Sequence, residues 1–330
     1  RSSTSAHFLN QANDGTVRFM QSNTTIAEVT DAQVVGSFDS DGFSVGNSGG
    51  SNQSGQTYVA WCWDAGSGSP VSNTDGTITS TVKANPATGF SVVTYTGNST
   101  AGATIGHGLG VAPSMIIVKR RDAVTGWCTY HKDMAAVPES AYMYLNATGA
   151  AVTGTINFWN STAPTSSVFS ISSHSDVNVG TMVAYCFSEV AGYSKFGTYT
   201  GNGISNGPTV TTGFRPAFIM MKSTNATDSW AMVDNRRHPS NDPLCPTLLA
   251  DGSTAELTAY PCVDFLDDGF KLVGNPDIHN YSGRDYIYMA FADTTDAQFN
   301  FDASGNKNNW DANNINSNAS GDTTYDIMSD

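Results

Sequence analysis

The stretch that decides the fold is "GHGLGVAPSMIIVK", residues 106–119, because it is met again as "TGFRPAFIMMK" at 212–222. Glycines crowd its start, and an apolar run closed by a lysine follows. The glycines match neither the Gly-Lys-Ser/Thr of a P-loop nor the G-x-G-x-x-G of a dinucleotide turn, and no crossover helix follows. The second copy returns Pro113 and Lys119 as Pro216 and Lys222, but it puts Val210 where His107 stood, so the imidazole is not part of what repeats. The stretch reads as a turn that launches a β-strand.

Working outward from it, the repetition extends over most of the chain. "GFSVVTYTGN" from Gly89 is echoed by "GYSKFGTYTGN" from Gly192, and Trp127 by Trp230 at an offset of 103. "VAYCF" at 183–187 corresponds to "IYMAF" at 287–291 at an offset of 104. A third copy comes first, since "TYVAWCW" at 57–63 aligns with "TMVAYCF" at 181–187. Repeats of this kind are single structural units stacked along a chain. The first copy lacks an equivalent of "VVTYTGN…APSMIIVK", because "RSSTSAHFL" from Arg1 matches the middle of the second copy around Arg121. The expectation is therefore an incomplete first module at 1–63, a Gly/Ser/Pro/Thr-rich linker at 64–89, a second module at 90–190 and a third at 191–293. A polar tail at 294–330 leads toward a missing C-terminal domain, and the chain is expected to be part of a longer polypeptide.

Within a module the segments are short, rich in Val, Ile, Thr, Tyr and Phe, and bounded by Gly, Asn, Asp and Ser clusters, the pattern of an all-β sandwich. The fold class expected is all-β, as tandem antiparallel β-sandwich modules of jelly-roll-like character joined by Gly/Ser/Asn-rich linkers. In "YVAWCW" alternate positions separate Tyr58, Ala60 and Cys62 from Val59, Trp61 and Trp63, one small face and one bulky one, as a strand between two packed layers requires. "FDSDGF" at 38–43 and "FLDDGF" at 265–270 carry Asp-Gly between aromatic residues, a hairpin signal. Each hairpin is followed by a loop, "GNSGGSNQSG" or "GNPDIHNYSG", before the aromatic strand.

Charged residues are only 13% of the 330, and the net charge is −14 with 15 scattered Lys and Arg. Phosphate binding needs clustered basic side chains, so no nucleic-acid partner is expected. No apolar run approaches the roughly 20 residues of a membrane helix, and no membrane insertion is expected. Five cysteines without a C-x-x-C pair give neither a complete disulfide set nor a zinc signature. Cys62 and Cys186 read as reduced core residues.

No acid, base and nucleophile set converges. "GNSGG" at 46–50 fits G-x-S-x-G formally, but it sits in a Gly/Ser loop between strands, not on the strand-to-helix elbow that a serine nucleophile needs. Asp39, Asp41, Asp267 and Asp268 fall far short of the ligand count that calcium takes, and the six histidines show no metal-ligand spacing. No cofactor and no enzymatic activity are expected. Trp127 and Trp230, with His7 in their place in the first copy, read as packing in a core or at an interface between modules. The contact candidates are Asn52, Asn280 and Tyr281 in the loops before the aromatic strands, Trp159 in the polar setting "NFWNST", and Trp310 in the tail. Loops on a rigid scaffold are where function concentrates.

The segments "FSVVTYTGNSTAGATIGHGLGVAPSMIIVK", "VAYCFSEVAGYSKFGTYTGNG" and "FDASGNKNNWDANNINSNASGDTTYDIMSD" resemble a family of structural proteins of tailed phages, common among marine and cyanobacterial phages. The resemblance implies a location in the virion, in a tail fibre or another surface appendage, self-association into a homo-oligomer, and contacts with host-surface glycans or other virion proteins. It brings no catalytic residues. Repeats, few charges and polar loops suit an extended scaffold of this kind. A secreted lectin-like protein, a head decoration without a receptor role, and a glycan-cleaving enzyme are the alternatives.

Overall fold

A computed structural model describes residues 7–11, 17–39, 42–239, 241, 244–258, 261–274 and 277–293. The chain divides into a compact unit, Arg1–Ala292, and a second unit, Asp293–Asp330. Only Asp293 of the second unit is described, so the expected tail and Trp310 lie outside the described residues.

The fold is all-β. Every strand ladder among the described residues is antiparallel. Helix is confined to single turns such as Ser175–Asn178 and Asp277–Asn280. Repeat 3 shows the plan most fully. A five-stranded sheet runs in the order Ser194–Thr200, Asp285–Ala292, Pro216–Ser223, Ala231–Asp234, Leu248–Leu249, and a three-stranded sheet of Asn206–Thr211, Gly269–Val273 and Val263–Leu266 accompanies it. The same order recurs in repeat 2 as Phe90–Asn98, Val179–Phe187, Met115–Arg120, Trp127–His131 and Ala141–Tyr144. Both "F-x-S/D-D-G-F" hairpins form, with Phe38 opposite Phe43 and Phe265 opposite Phe270.

The opening stretch is a strand entry. Gly108 and Gly110 take φ of +72° and +76°, and a side chain at Gly108 would collide with Val82, so glycine is required at this turn. Met115–Arg120 follows, fully buried as far as Lys119. The stretch 64–89, expected to be a linker, departs from the expectation. Ser80–Asn85 and Val71–Asn73 add two strands to the sheet of repeat 2 beyond Phe90–Asn98. The alternation of buried Ser80 and Val82 with exposed Thr81 outweighs the turn-rich composition around it.

The aromatic strands are buried on both faces because two different cores use them. In Asp285–Ala292, residues Tyr286, Tyr288 and Ala290 face the three-stranded sheet of their own repeat, with Val210, Phe265, Phe270 and Leu272. Ile287, Met289 and Phe291 belong to a second, larger core shared by all three repeats. Each large apolar side chain so buried contributes about 1.5–3 kcal/mol relative to exposure.

That shared core closes the repeats around an axis. Trp63, Phe187 and Phe291 hold the same position in their repeats, and their ring centroids form a near-equilateral triangle of 6.2, 6.1 and 5.7 Å. Equivalent bonds stitch successive repeats. Between repeats 1 and 2, Thr125 N–H donates to Thr25 O at 3.0 Å and Glu28 N–H to Arg121 O at 2.8 Å. Between repeats 2 and 3, Asp228 N–H donates to Thr148 O at 2.9 Å and Ala151 N–H to Thr224 O at 2.8 Å. Repeat 3 returns to repeat 1 through Ser22 Oγ, which donates to Ala250 O at 2.7 Å, and through Trp61 Nε1, which donates to Asp234 Oδ2 at 3.2 Å. The three repeats are thus a closed ring rather than the extended row anticipated from the sequence.

Repeat 1 is the exception in the ring. Its "TYVAWCW" segment keeps the expected alternation, Val59, Trp61 and Trp63 packing on the shared core, but it pairs with no strand among the described residues. Among the described residues nothing covers its small face, so Cys62, expected in a core, is exposed with Tyr58 and Ala60. Cys128 and Cys186 are buried and reduced, and Cys245 and Cys262 form a disulfide within repeat 3.

Candidate functional site

The loops before the aromatic strands contain three equivalent asparagines. Each donates from Nδ2 to the carbonyl six residues earlier: Asn52 to Gly46 O at 2.7 Å, Asn178 to Ser172 O at 2.7 Å and Asn280 to Gly274 O at 2.9 Å. In repeats 2 and 3 the same amide also grips the "TYTGN" turn. Asn178 Oδ1 accepts from Asn98 N–H and its Nδ2 donates to Thr100 O, both at 2.9 Å. Asn280 Oδ1 accepts from Asn202 N–H and its Nδ2 donates to Ile204 O, again at 2.9 Å. A fully satisfied buried amide is a clamp that fixes loop to strand. Asn280 is therefore corrected from a contact candidate to an internal clamp with no exposed surface. Asn52 remains exposed, because the turn its equivalents grip has no counterpart among the described residues of repeat 1.

Trp159 is also buried, which corrects its reading as a surface aromatic. Asn160 and Ser161 take φ of +52° and +46° and reverse the chain, so the polar neighbours face solvent while the indole meets Tyr130 edge-on at 5.7 Å. Trp127 and Trp230 pack between repeats as expected. Trp127 Nε1 donates to Gln21 O and Thr24 O of repeat 1, and Trp230 Nε1 to Tyr144 O of repeat 2.

The repeated lysines are buried too, Lys119 at the junction of repeats 1 and 2 and Lys222 within repeat 3. Lys119 Nζ donates to Thr125 O at 3.0 Å and to Thr25 O at 3.2 Å, and Lys222 Nζ to Ser223 O at 2.6 Å. Loss of solvent lowers both ammonium groups to about 8. Bonded to carbonyls of the loops that follow their strands, they hold those loops in place. His131 sits in the junction of repeats 2 and 3, its Nε2 3.2 Å from Tyr288 O, and burial lowers it to about 4. His279 is lowered to about 3 by burial alone. His107 is buried in the strand-entry turn, its Nε2 3.1 Å from Thr165 O. Among the described residues no group of His, Cys, Asp and Glu is placed to hold a metal ion.

Tyr281, like Asn52, is a contact candidate that the structure leaves on the surface, 45% exposed. The Arg284 guanidinium lies over its ring at 4.2 Å from the centroid and is itself paired with Asp228. Ile204, 55% exposed, extends this surface from the adjoining turn clamped by Asn280. A ring held in place by a charged neighbour is preorganised for stacking on a flat apolar face, because little side-chain freedom is left to lose on binding. The sequence reading named Tyr281 but not Arg284, whose spacing from it was the available signal of the pair.

The family model described as "Domain of unknown function (DUF7483)" matches residues 1–295. No curated protein and no solved structure matches the chain.

Proposed function

The chain belongs to that family, and because its description carries no activity we propose a function from the geometry and the sequence resemblance together: a non-enzymatic structural protein of a phage virion, a tail fibre or surface appendage. In this reading it associates with copies of itself and contacts host-surface glycans or other virion proteins. The observation that carries the reading is the closed ring. Three copies of one β-fold direct aromatic and buried polar residues at each other, and the exposed loop positions Asn52 and Tyr281 lie on equivalent loops of repeats 1 and 3. Such an arrangement multiplies weak contacts, since each further engagement becomes intramolecular once the first is made. The surface of Tyr281, Arg284 and Ile204 is the part of it best suited to a sugar ring.

Peptide mapping of purified particles from the source tests the location. A fixed ratio of these repeats to capsid protein supports the proposal, whereas recovery only from the soluble secreted fraction overturns it in favour of a lectin-like protein. Tyr281→Ala tests the contact: adsorption to host cells or glycan should fall while thermal stability is unchanged. Unaltered adsorption would remove Tyr281 from the account.

A further inference from the structure

The repeats hold one another through one equivalent segment, which begins where the strand after the tryptophan strand ends. In repeat 1 its Thr24 O and Thr25 O accept from Trp127 Nε1 and Thr125 N–H. In repeat 2 Tyr144 O accepts from Trp230 Nε1, and Thr148 O from Asp228 N–H. In repeat 3 the segment closes the ring. Ala250 O accepts from Ser22 Oγ at 2.7 Å. Glu256 pairs with Arg237, whose guanidinium lies 5.5 Å from the centroid of the Trp61 ring, and Asp234 Oδ2 accepts from both Arg237 Nε at 2.6 Å and Trp61 Nε1 at 3.2 Å. At this third junction the sequence has His7 where the other two insert a tryptophan. The closing segment has a different support. Cys245 stands just before Leu248–Leu249 at the edge of the five-stranded sheet, and Cys262 just before Val263–Leu266 of the three-stranded one. Their disulfide therefore joins the two ends of the segment that carries Ala250 and Glu256. Immediately inside it, Thr247 and Leu257 exchange two main-chain bonds of 2.9 Å.

We propose that Cys245–Cys262 is a redox lock on ring closure. Oxidised, it holds the closing segment in the shape that receives Ser22 directly and Trp61 through Glu256 and Arg237. Reduced, the segment loosens and the ring opens at the junction of repeats 3 and 1, while the other two junctions, held by Trp127 and Trp230, stay closed. The reductant is a dithiol: it passes two electrons and two protons to the bond, the S–S bond breaks to leave two cysteine thiols, and the dithiol becomes a cyclic disulfide. Both cysteines are buried in the core of repeat 3, so a dithiol reaches the bond only after the segment has moved. By linkage the effect is reciprocal, and closure favours the bond by the factor with which the bond favours closure.

The test equilibrates the full chain with mixtures of oxidised and reduced dithiothreitol, traps thiols by alkylation, and counts the Cys245 and Cys262 peptides by mass. Trp61→Leu and Ser22→Ala, which weaken the closing junction, should each shift the equilibrium toward the thiols, Trp61→Leu by about tenfold. Glu28→Gln weakens the bidentate pair with Arg121 at the junction of repeats 1 and 2 and should leave it unmoved. An equilibrium that Trp61→Leu does not shift, or that Glu28→Gln shifts as far, overturns the lock, because the bond then serves repeat 3 alone or follows overall stability. Amide hydrogen exchange adds a local readout. In the reduced chain the amides of Ala250 and Leu257 should exchange about tenfold faster or more, with those of Asp228 and Ala151 at the junction of repeats 2 and 3 unchanged. Full protection at Ala250 in a folded, fully reduced chain overturns the lock as well. Cys245→Ser/Cys262→Ser should exchange as the reduced chain does, and in that background Trp61→Leu should lower the urea midpoint less than it does in the oxidised parent; an equal loss in both counts against the proposal.

Discussion

The three clamp asparagines offer a comparison in which one substitution is made at one structural position under different surroundings. Asn280→Ala removes bonds to Asn202 N–H, Ile204 O and Gly274 O, each at 2.9 Å, from a residue with no exposed surface. At about 1 kcal/mol net per bond, the loss is about 3 kcal/mol. Asn178→Ala removes the matching set of bonds to Asn98, Thr100 and Ser172 and should cost the same. Asn52→Ala removes one exposed bond, to Gly46 O, and should cost less than about 1 kcal/mol. Equilibrium urea unfolding, followed by tryptophan fluorescence and far-ultraviolet circular dichroism, measures all three. An Asn280 variant within about 1 kcal/mol of the parent, or an Asn52 variant as damaged as the other two, would refute the clamp and return Asn280 to the list of surface contacts.

Two further outcomes follow from the buried groups. His131 and His279 titrate near 4 and 3 in the folded chain and near 6.5 once unfolded. The unfolded state therefore binds more protons between those values, and stability present above pH 6.5 is lost as pH falls toward 4. His131→Gln should blunt that loss, by up to about 3 kcal/mol, in urea titrations between pH 7 and 4; an identical pH profile for the variant contradicts the assignment. Reduction of Cys245–Cys262, which closes a loop across a separation of 17 residues, should lower stability by about 3 kcal/mol on chain-entropy grounds. A Cys245→Ser/Cys262→Ser chain with the same urea midpoint, indifferent to reductant, would show that the bond contributes nothing.

Much of this was written in local pattern. The period-two alternation of "YVAWCW" and "IYMAF" identified strands with two working faces, and the Asp-Gly signals located both hairpins. The G-N-x-x-x-x-N spacing shared by Gly46–Asn52 and Gly274–Asn280 was also on view, and it marks the clamp. It was read as a pair of surface loops because polarity alone does not distinguish a satisfied buried amide from an exposed one. Trp159 misled in the same way, since a reversal at Asn160 and Ser161 puts polar neighbours outside and the indole inside. Closure of the ring had no local signature. Ser22 meets Ala250 and Trp63 meets Phe291 across most of the chain length, and each residue alone reads only as a strand or turn position.

The account stands on that closure, and a double-mutant cycle across it is the most direct test. Trp63→Leu, Phe291→Leu and the combined variant, unfolded in urea, report whether repeat 1 and repeat 3 touch at the axis. Ring centroids 5.7 Å apart in an edge-on arrangement predict a coupling of about 0.5–1.5 kcal/mol. Additivity of the two losses to within about 0.3 kcal/mol would contradict the closed ring and leave the repeats as independent modules in a row.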